Sequence, residues 1–429
     1  MSFQDVVLRA ADSVAGTLGF LRRPFDADRL IAATARAEPD GRLDDPELRP
    51  ALDQLLGAIA TEADLSLVGR LATGWDMRRF LGNLRRFSAE EAANPAILGE
   101  PVARPIFVAG LPRSGTTFLH RLLLEDPANR GPRVWETIAP YAPRRGPDKR
   151  IAQVAAQLRA FTRLAPEFPA LHPLAATSPQ ECSEITGHVF RSLRFDTTYR
   201  IPSYRRWLDA AGQMEAYVFH RRFLQHLQHQ DAAARAGRPP RWVLKCPDHL
   251  FALRCIRAAY PDARLVFVHR DPVKVLLSVA RLTEVLRRPF TRRIDPLEIG
   301  RQESDRWLDG TVHMMEAGDD AGLAEPICHV HYLDLVTDPL RTVQGLYRHF
   351  GLDLAPAAEA AMGRYVTARP NGGYAAHAYR FEDHGLDAAA ERARFRGYMV
   401  RFGVQPETVK EAPPRGRIGA PSQGHAARV

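Results

Sequence analysis

Residues 105 to 120, Pro-Ile-Phe-Val-Ala-Gly-Leu-Pro-Arg-Ser-Gly-Thr-Thr-Phe-Leu-His, constrain the fold of this chain more than any other stretch. Ile106 to Ala109 read as a short buried strand, and from Thr116 to Leu124 the apolar residues Phe118, Leu119, Leu122 and Leu123 recur at helical spacing. A strand that passes through a glycine turn directly into a helix opens a βα unit. It aims free backbone N–H groups and the positive end of the helix at one point, which suits a phosphate or sulfate group. Gly110 to Thr117 nearly spells the phosphate-loop pattern G-x-x-x-x-G-K-[ST], with Thr116 where the lysine would stand. Arg113 adds a cationic fork inside the loop. The plain alternative is an ordinary βα turn.

The rest of the chain is compatible with that unit. Residues 1–103 show helical spacing, as in Leu43 to Ala60 and Leu65 to Phe87. After Arg104 short β runs alternate with helices: Ile106 to Ala109, Trp242 to Leu244, Leu265 to Val268 and Ile327 to His331. Such alternation predicts an α/β fold, a phosphate-loop-like parallel sheet flanked by helices, with a helical N-terminal region and a helical insertion. The expected division is residues 1–103, an α/β domain over 104–411 with the insertion at about 140–235, and a disordered tail over 412–429. Within the insertion, Pro140 to Pro147 and Pro166 to Pro179 read as lid or substrate loops. Tyr204 to Gln230 reads as one long helix.

Composition narrows the partners. The formal charge of +9 over 429 residues favours an anionic ligand without naming it. The arginines are dispersed, and no aromatic-basic interleaving points to single-stranded nucleic acid, so no nucleic-acid partner is expected. The cysteines Cys182, Cys246, Cys255 and Cys328 form no C-x-x-C pair or zinc-like cluster. A reducing, cytoplasmic setting and no metal are the expectation. No signal peptide is evident at Met1 to Arg9, and no apolar run approaches the ~20 residues of a membrane helix.

Two further stretches carry chemistry. In Leu265 to Ala280, Asp271 is a good N-cap and Pro272 suits the first helical position, so Arg270 lies on the turn at a strand's C-terminal end, where open α/β sheets collect ligands. Lys274 and Ser278 share a helical face with Arg281, a set able to surround a second phosphate. Lys245, one of only four lysines, ends the strand of Trp242-Val-Leu-Lys-Cys-Pro-Asp-His249 and is expected to project into the same crevice as Arg113. Glu136, beside Trp135 and Arg133, is a candidate general base, with a solvated surface glutamate as its plain alternative.

Together these motifs make the chain resemble the sulfotransferases that use 3′-phosphoadenosine 5′-phosphosulfate (PAPS). The likeness is closest to bacterial sulfotransferase-family proteins and weaker to tyrosylprotein sulfotransferases, and it covers residues 104 to 400. It implies that Pro112 to Thr117, and so Arg113, Ser114, Gly115, Thr116 and Thr117, hold the 5′-phosphosulfate. It implies that Arg270 and Ser278 hold the 3′-phosphate, that Tyr332 lies near the adenosine, and that Lys245-Cys-Pro247 is the family's Lys-x-Pro strand end. Glu136 resembles the base of the tyrosylprotein enzymes, although its interval from the loop is two residues longer here; His172 and His249 are rival bases. The implied reaction moves a sulfuryl group from PAPS to a hydroxyl, or less favourably an amine, of a small-molecule or lipid-like acceptor. It leaves 3′,5′-ADP and needs no metal. Two alternatives stand beside it: a phosphate-loop kinase or NTPase, opposed by Thr116 and by the lack of a strand-ending carboxylate for Mg²⁺, and a non-catalytic nucleotide-binding protein.

Overall fold

The structure is a computed structural model, and it describes residues 3–231, 239–319, 326–369 and 380–408. Helices α1 (Phe3–Thr17), α2 (Ala27–Ala37), α3 (Leu48–Glu62) and α4 (Leu67–Ala93) precede the first strand. Strand β1 (Ile106–Gly110) leads into α5 (Thr116–Leu123), the two-residue β2 (Asn129–Arg130) and α6 (Val134–Ile138). The insertion holds α7 (Arg150–Leu164), α8 (Phe168–Leu171), α9 (Ser183–Thr186), α10 (Arg194–Thr198), α11 (Pro202–Ala211) and α12 (Met214–Gln230). Then follow β3 (Arg241–Lys245), α13 (Leu253–Ala259), β4 (Arg264–His269), α14 (Pro272–Arg287), α15 (Pro296–Asp319) and β5 (Cys328–His331). The last described helices are α16 (Tyr332–Thr337), α17 (Pro339–His349), α18 (Pro356–Ala368), α19 (Ala388–Arg394) and α20 (Arg396–Phe402).

The five strands form one parallel sheet in the order β2-β3-β1-β4-β5, which puts β1 at the centre. Every residue of β1 and β4 is buried, as expected of strands covered on both faces. Alternate side chains serve two cores. Phe107, Ala109, Leu244, Leu265 and Phe267 pack with Leu52, Phe80 and Phe87 of the N-terminal helices and with Phe190, Tyr204 and Phe223 of the insertion. Ile106, Val108, Val243, Val266 and Val268 pack against Leu119 and Leu122 of α5, Val343 and Leu346 of α17, and Met362 of α18. Burying such a side chain contributes about 1.5–3 kcal/mol. The N-terminal helices are thus continuous with the sheet's own core.

One sequence expectation needs adjustment, one element was not expected, and one expectation falls outside the described residues. The long helix expected over Tyr204 to Gln230 is two helices, because Gly212 takes φ 77°, ψ −179°, outside helical geometry, and closes α11 before α12 begins. The short β2 escaped periodicity because two residues carry no period. The tail expected from residue 412 lies outside the described residues. Among the described residues, no helix is long and apolar enough to cross a membrane.

Candidate active site

The loop after β1 is built by backbone constraint. Arg113 (φ 64°) and Gly115 (φ 93°) both adopt left-handed geometry, and a Cβ on Gly115 would come within 3.0 Å of Tyr332. Gly115 is the N-cap of α5, so the first-turn N–H groups of that helix face the turn. Ser114 Oγ is buried inside the loop with no hydrogen-bond partner among the described residues. Helix α5 is pinned from behind by His120, whose Nε2–H donates to the Val243 carbonyl of β3 (3.0 Å). Burial, then the charge of Lys245, drives the His120 pKa down to about 3 and keeps the ring neutral.

A cavity of about 670 Å³ opens at the C-terminal ends of β1, β3 and β4. Its wall includes Arg113, Gly115, Thr116 and Thr117 from the loop and Lys274 and Ser278 from α14, with Arg270, Tyr332 and His172 completing the expected set. These residues are also wired together. Arg113 Nε donates to Ser278 Oγ (3.1 Å) and Nη1 to the Leu171 carbonyl (2.8 Å), while Arg270 Nη1 donates to the Arg113 carbonyl (2.7 Å). The Arg270 guanidinium lies over the Tyr332 ring, 3.7 Å from its centroid. Arg281, expected near this cluster, is instead ion-paired with Glu284 and Glu167.

Away from the loop the cavity wall turns apolar, with Phe168, Leu174, Leu277, Leu282 and Leu286. Polar side chains Arg194, Thr283, Glu303 and Arg306 interrupt it. Helix α4 braces this wall from behind, since its Asp76 holds Arg194 (3.0 Å).

The expected bases divide. Glu136 is not on the cavity wall. Its Oε1 accepts from Arg130 Nη2 (3.0 Å) and its Oε2 from the Arg133 N–H (2.7 Å), so this buried carboxylate closes the first turn of α6 instead of facing a substrate. His249 is fully buried under the sheet, where its Nδ1 pairs with Tyr217 Oη (2.6 Å) and its ring meets Phe107 edge-on. The 3₁₀ turn over Pro247–Ala252 explains this, for it aims Asp248 into the cavity and His249 into the core. Burial pushes the Asp248 carboxyl up to about 7, with Glu181 adding to the rise. His172 does line the cavity. Burial lowers its pKa to about 4 against the opposing pull of Glu181, so the ring is neutral at pH 7.

Lys245 ends β3 in register with Val108 of β1, yet it is buried and stops short of the cavity wall. Its Nζ donates to Glu181, and Glu181 is what reaches the cavity. Burial raises the Glu181 carboxyl, but Lys245 and then His172 outweigh it and hold the group below the ordinary carboxylate range. The proline-rich loop predicted from the sequence ends at Pro179, two residues before this carboxylate. The signal was the run Pro179-Gln-Glu-Cys directly after a proline-rich loop, bringing an acid next to the loop that already carried His172.

Comparison with known proteins agrees with this geometry. A sequence model described as the sulfotransferase family matches residues 105–356. A Mycobacterium bovis protein, omega-hydroxy-beta-dihydromenaquinone-9 sulfotransferase Stf3, is 26% identical over 266 residues, 58% of this chain and 63% of that protein; the chain therefore spans less than two thirds of this relative's length. Among solved structures, sulfotransferase STF1 from Mycobacterium tuberculosis H37Rv superposes with a TM-score of 0.74 at 31% identity, covering 88% of this chain and 100% of that one. Sulfotransferase STF9 from Mycobacterium avium gives 0.79 at 26% identity, covering 91% and 100%. With its motifs on one cavity and its fold shared with these enzymes, the chain belongs to the sulfotransferase family.

Proposed function

We propose that the cavity transfers a sulfuryl group from PAPS to a hydroxyl group on an apolar, lipid-like acceptor. The observation that carries this reading is the joining of loop, Arg270 and Ser278 through Arg113 at one end of a cavity whose other walls are largely apolar. The cradle fits an anionic donor: it offers helix N–H groups, a left-handed glycine with no room for a side chain, and a buried Ser114 hydroxyl with no partner among the described residues. In this reading the loop and Arg113 hold the 5′ end, and Arg270 and Ser278 hold the 3′-phosphate. Glu181, not Glu136, accepts the proton as the acceptor oxygen attacks sulfur and the bridging S–O bond to the 5′-phosphate breaks. Lys245, turning from Glu181 toward the donor, supplies positive charge for the departing phosphate oxygen, an electrostatic role like that of cations in phosphoryl transfer. The relative named for a hydroxylated dihydromenaquinone acts, by its name, on a lipid alcohol, and the apolar wall formed by Leu174, Leu277, Leu282 and Leu286 suits a similar class.

The test begins with the donor site. At a hundred times Kd, a ligand of the folded state adds about 2.7 kcal/mol of stability, so 3′,5′-ADP is expected to raise Tm by several degrees where ATP with Mg²⁺ does not. The reverse pattern returns the chain to the kinase reading. Arg270→Ala should weaken 3′,5′-ADP by about 10² through loss of charged hydrogen bonds, and 5′-AMP by only a few-fold, because only the first carries a 3′-phosphate. Equal losses in calorimetric titrations would falsify the assignment of Arg270. The acceptor follows from incubating labelled PAPS with long-chain alcohols and isoprenoid alcohols and detecting sulfated products by mass.

A further inference from the structure

Arg270 already holds an anion. After α20 the chain reverses at Gly403 (φ 63°), buries Val404 and carries Gln405 to Thr408 past the C-terminal end of β4. There the Glu407 carboxylate takes a two-pronged ion pair from Arg270, Nε at 2.8 Å and Nη2 at 3.0 Å. The segment is fastened on either side. The Glu407 N–H donates to Asp271 Oδ2 (2.7 Å), and Arg392 Nη2 donates to the same oxygen (2.9 Å) and to the Glu407 carbonyl (3.4 Å). Thr408, next in the chain, is itself part of the cavity wall. Arg270 and Glu407 side chains are 18% and 13% exposed, so the pair is only weakly screened by solvent. A carboxylate spanning two guanidinium nitrogens uses the same fork that would grip a phosphate.

We infer that Glu407 is a built-in competitor of the donor's 3′-phosphate: it holds Arg270 in the nucleotide-free enzyme, and the strap from Val404 to Thr408 opens when the donor binds and recloses as 3′,5′-ADP leaves. This rests on the reading of Arg270 as the 3′-phosphate residue. The strap lowers affinity for any ligand that needs Arg270, because apparent affinity falls by the fraction of molecules in which the site is competent. It also gives Arg270 a partner at the moment of product release, a step that limits turnover in many enzymes. A nucleotide without a 3′-phosphate leaves the pair intact and is indifferent to it.

The full-length protein and its Glu407→Gln and Glu407→Asp variants separate the possibilities. Calorimetry with 3′,5′-ADP is expected to show Glu407→Gln binding about ten-fold more tightly, for a strap closed in nine molecules of ten. Stopped-flow displacement should show correspondingly slower release, and 5′-AMP affinity should stay within about two-fold of wild type. Glu407→Asp keeps the charge but shortens the reach, and should fall between the two. Unchanged or weaker 3′,5′-ADP binding in Glu407→Gln overturns the inference, as does equal tightening for 5′-AMP. If wild type binds 3′,5′-ADP and the variants match it, only the strap is lost. If none of the three binds 3′,5′-ADP, the nucleotide-site reading falls and the strap with it.

Discussion

Glu181→Gln is expected to lower turnover by about 10² to 10⁴ while leaving 3′,5′-ADP affinity within about two-fold. The amide keeps the size of the side chain and can still meet Lys245, but it cannot take a proton from an attacking hydroxyl. Glu181 is the carboxylate that Lys245 holds at the cavity wall, and that contact lowers its pKa, making it a poor base while the pair is intact. A base in this state gains strength when its cation is drawn elsewhere. Lys245 turning toward the donor's phosphate oxygens would release Glu181 and let burial raise its pKa toward the working range, coupling donor binding to activation of the acceptor. Single-turnover assays with labelled PAPS and a productive alcohol separate this from a binding defect. His172→Gln is the control: neutral and on the same wall, it should cost less, and a larger loss there would hand the proton to the imidazole. Glu136→Gln should behave differently again. It loosens the contact to buried Arg130 and lowers Tm, but the turnover of the folded fraction should hold.

The fate of these three candidates shows what the sequence could carry. The loop was legible because strand, glycine turn and helix are local, and local backbone geometry puts Arg113, Gly115, Thr116 and Thr117 on one wall. Arg270 and Ser278 were legible for the same reason, being fixed by the N-cap at Asp271 and by helical spacing along α14. The base was not. Whether an acid faces a cavity or caps a helix depends on a hydrogen bond to its own turn in the case of Glu136, and on a lysine 64 residues away in the case of Glu181. The contact between Glu407 and Arg270 spans 137 residues and has no local signature at all. Long-range pairing of charges is decided by how the cores stack, and periodicity says nothing about it.

Acid should unfold this protein at unusually mild pH. His120, His188, His220 and His269 are buried, and desolvation lowers their pKa values to about 3, 3, 3 and 2, with nearby charges adding for all but His220. The hydrogen bonds that His120 and His188 make to backbone carbonyls oppose this shift without cancelling it. His188 donates from Nδ1 to the Glu184 and Ile185 carbonyls and accepts at Nε2 from Asn83, while His220 Nε2 has no partner among the described residues. In the unfolded chain each imidazole takes a proton near pH 6.5. Between that value and the folded pKa the unfolded state therefore binds more protons, and stability falls as pH falls, by about 1.4 kcal/mol per pH unit for each ring. Asp248 works the other way, because its raised pKa lets the folded state hold a proton that the unfolded state has lost. His172, its pKa lowered to about 4, joins the four rings, so the balance is roughly four protons, or about 5 kcal/mol per pH unit, against a total stability of about 5–15 kcal/mol. Urea titrations should show constant stability above about pH 7.5, a steep loss below pH 6.5 and unfolding without urea between about pH 3.5 and 5.5, with uptake of about four protons. Replacing His220 by leucine should reduce that uptake by about one, since this ring's shift comes from burial alone. A urea midpoint that stays flat from pH 7 to 5 would mean that these rings find solvent or a counter-charge on protonation, and that the core around Phe107 and Tyr260 opens to admit it.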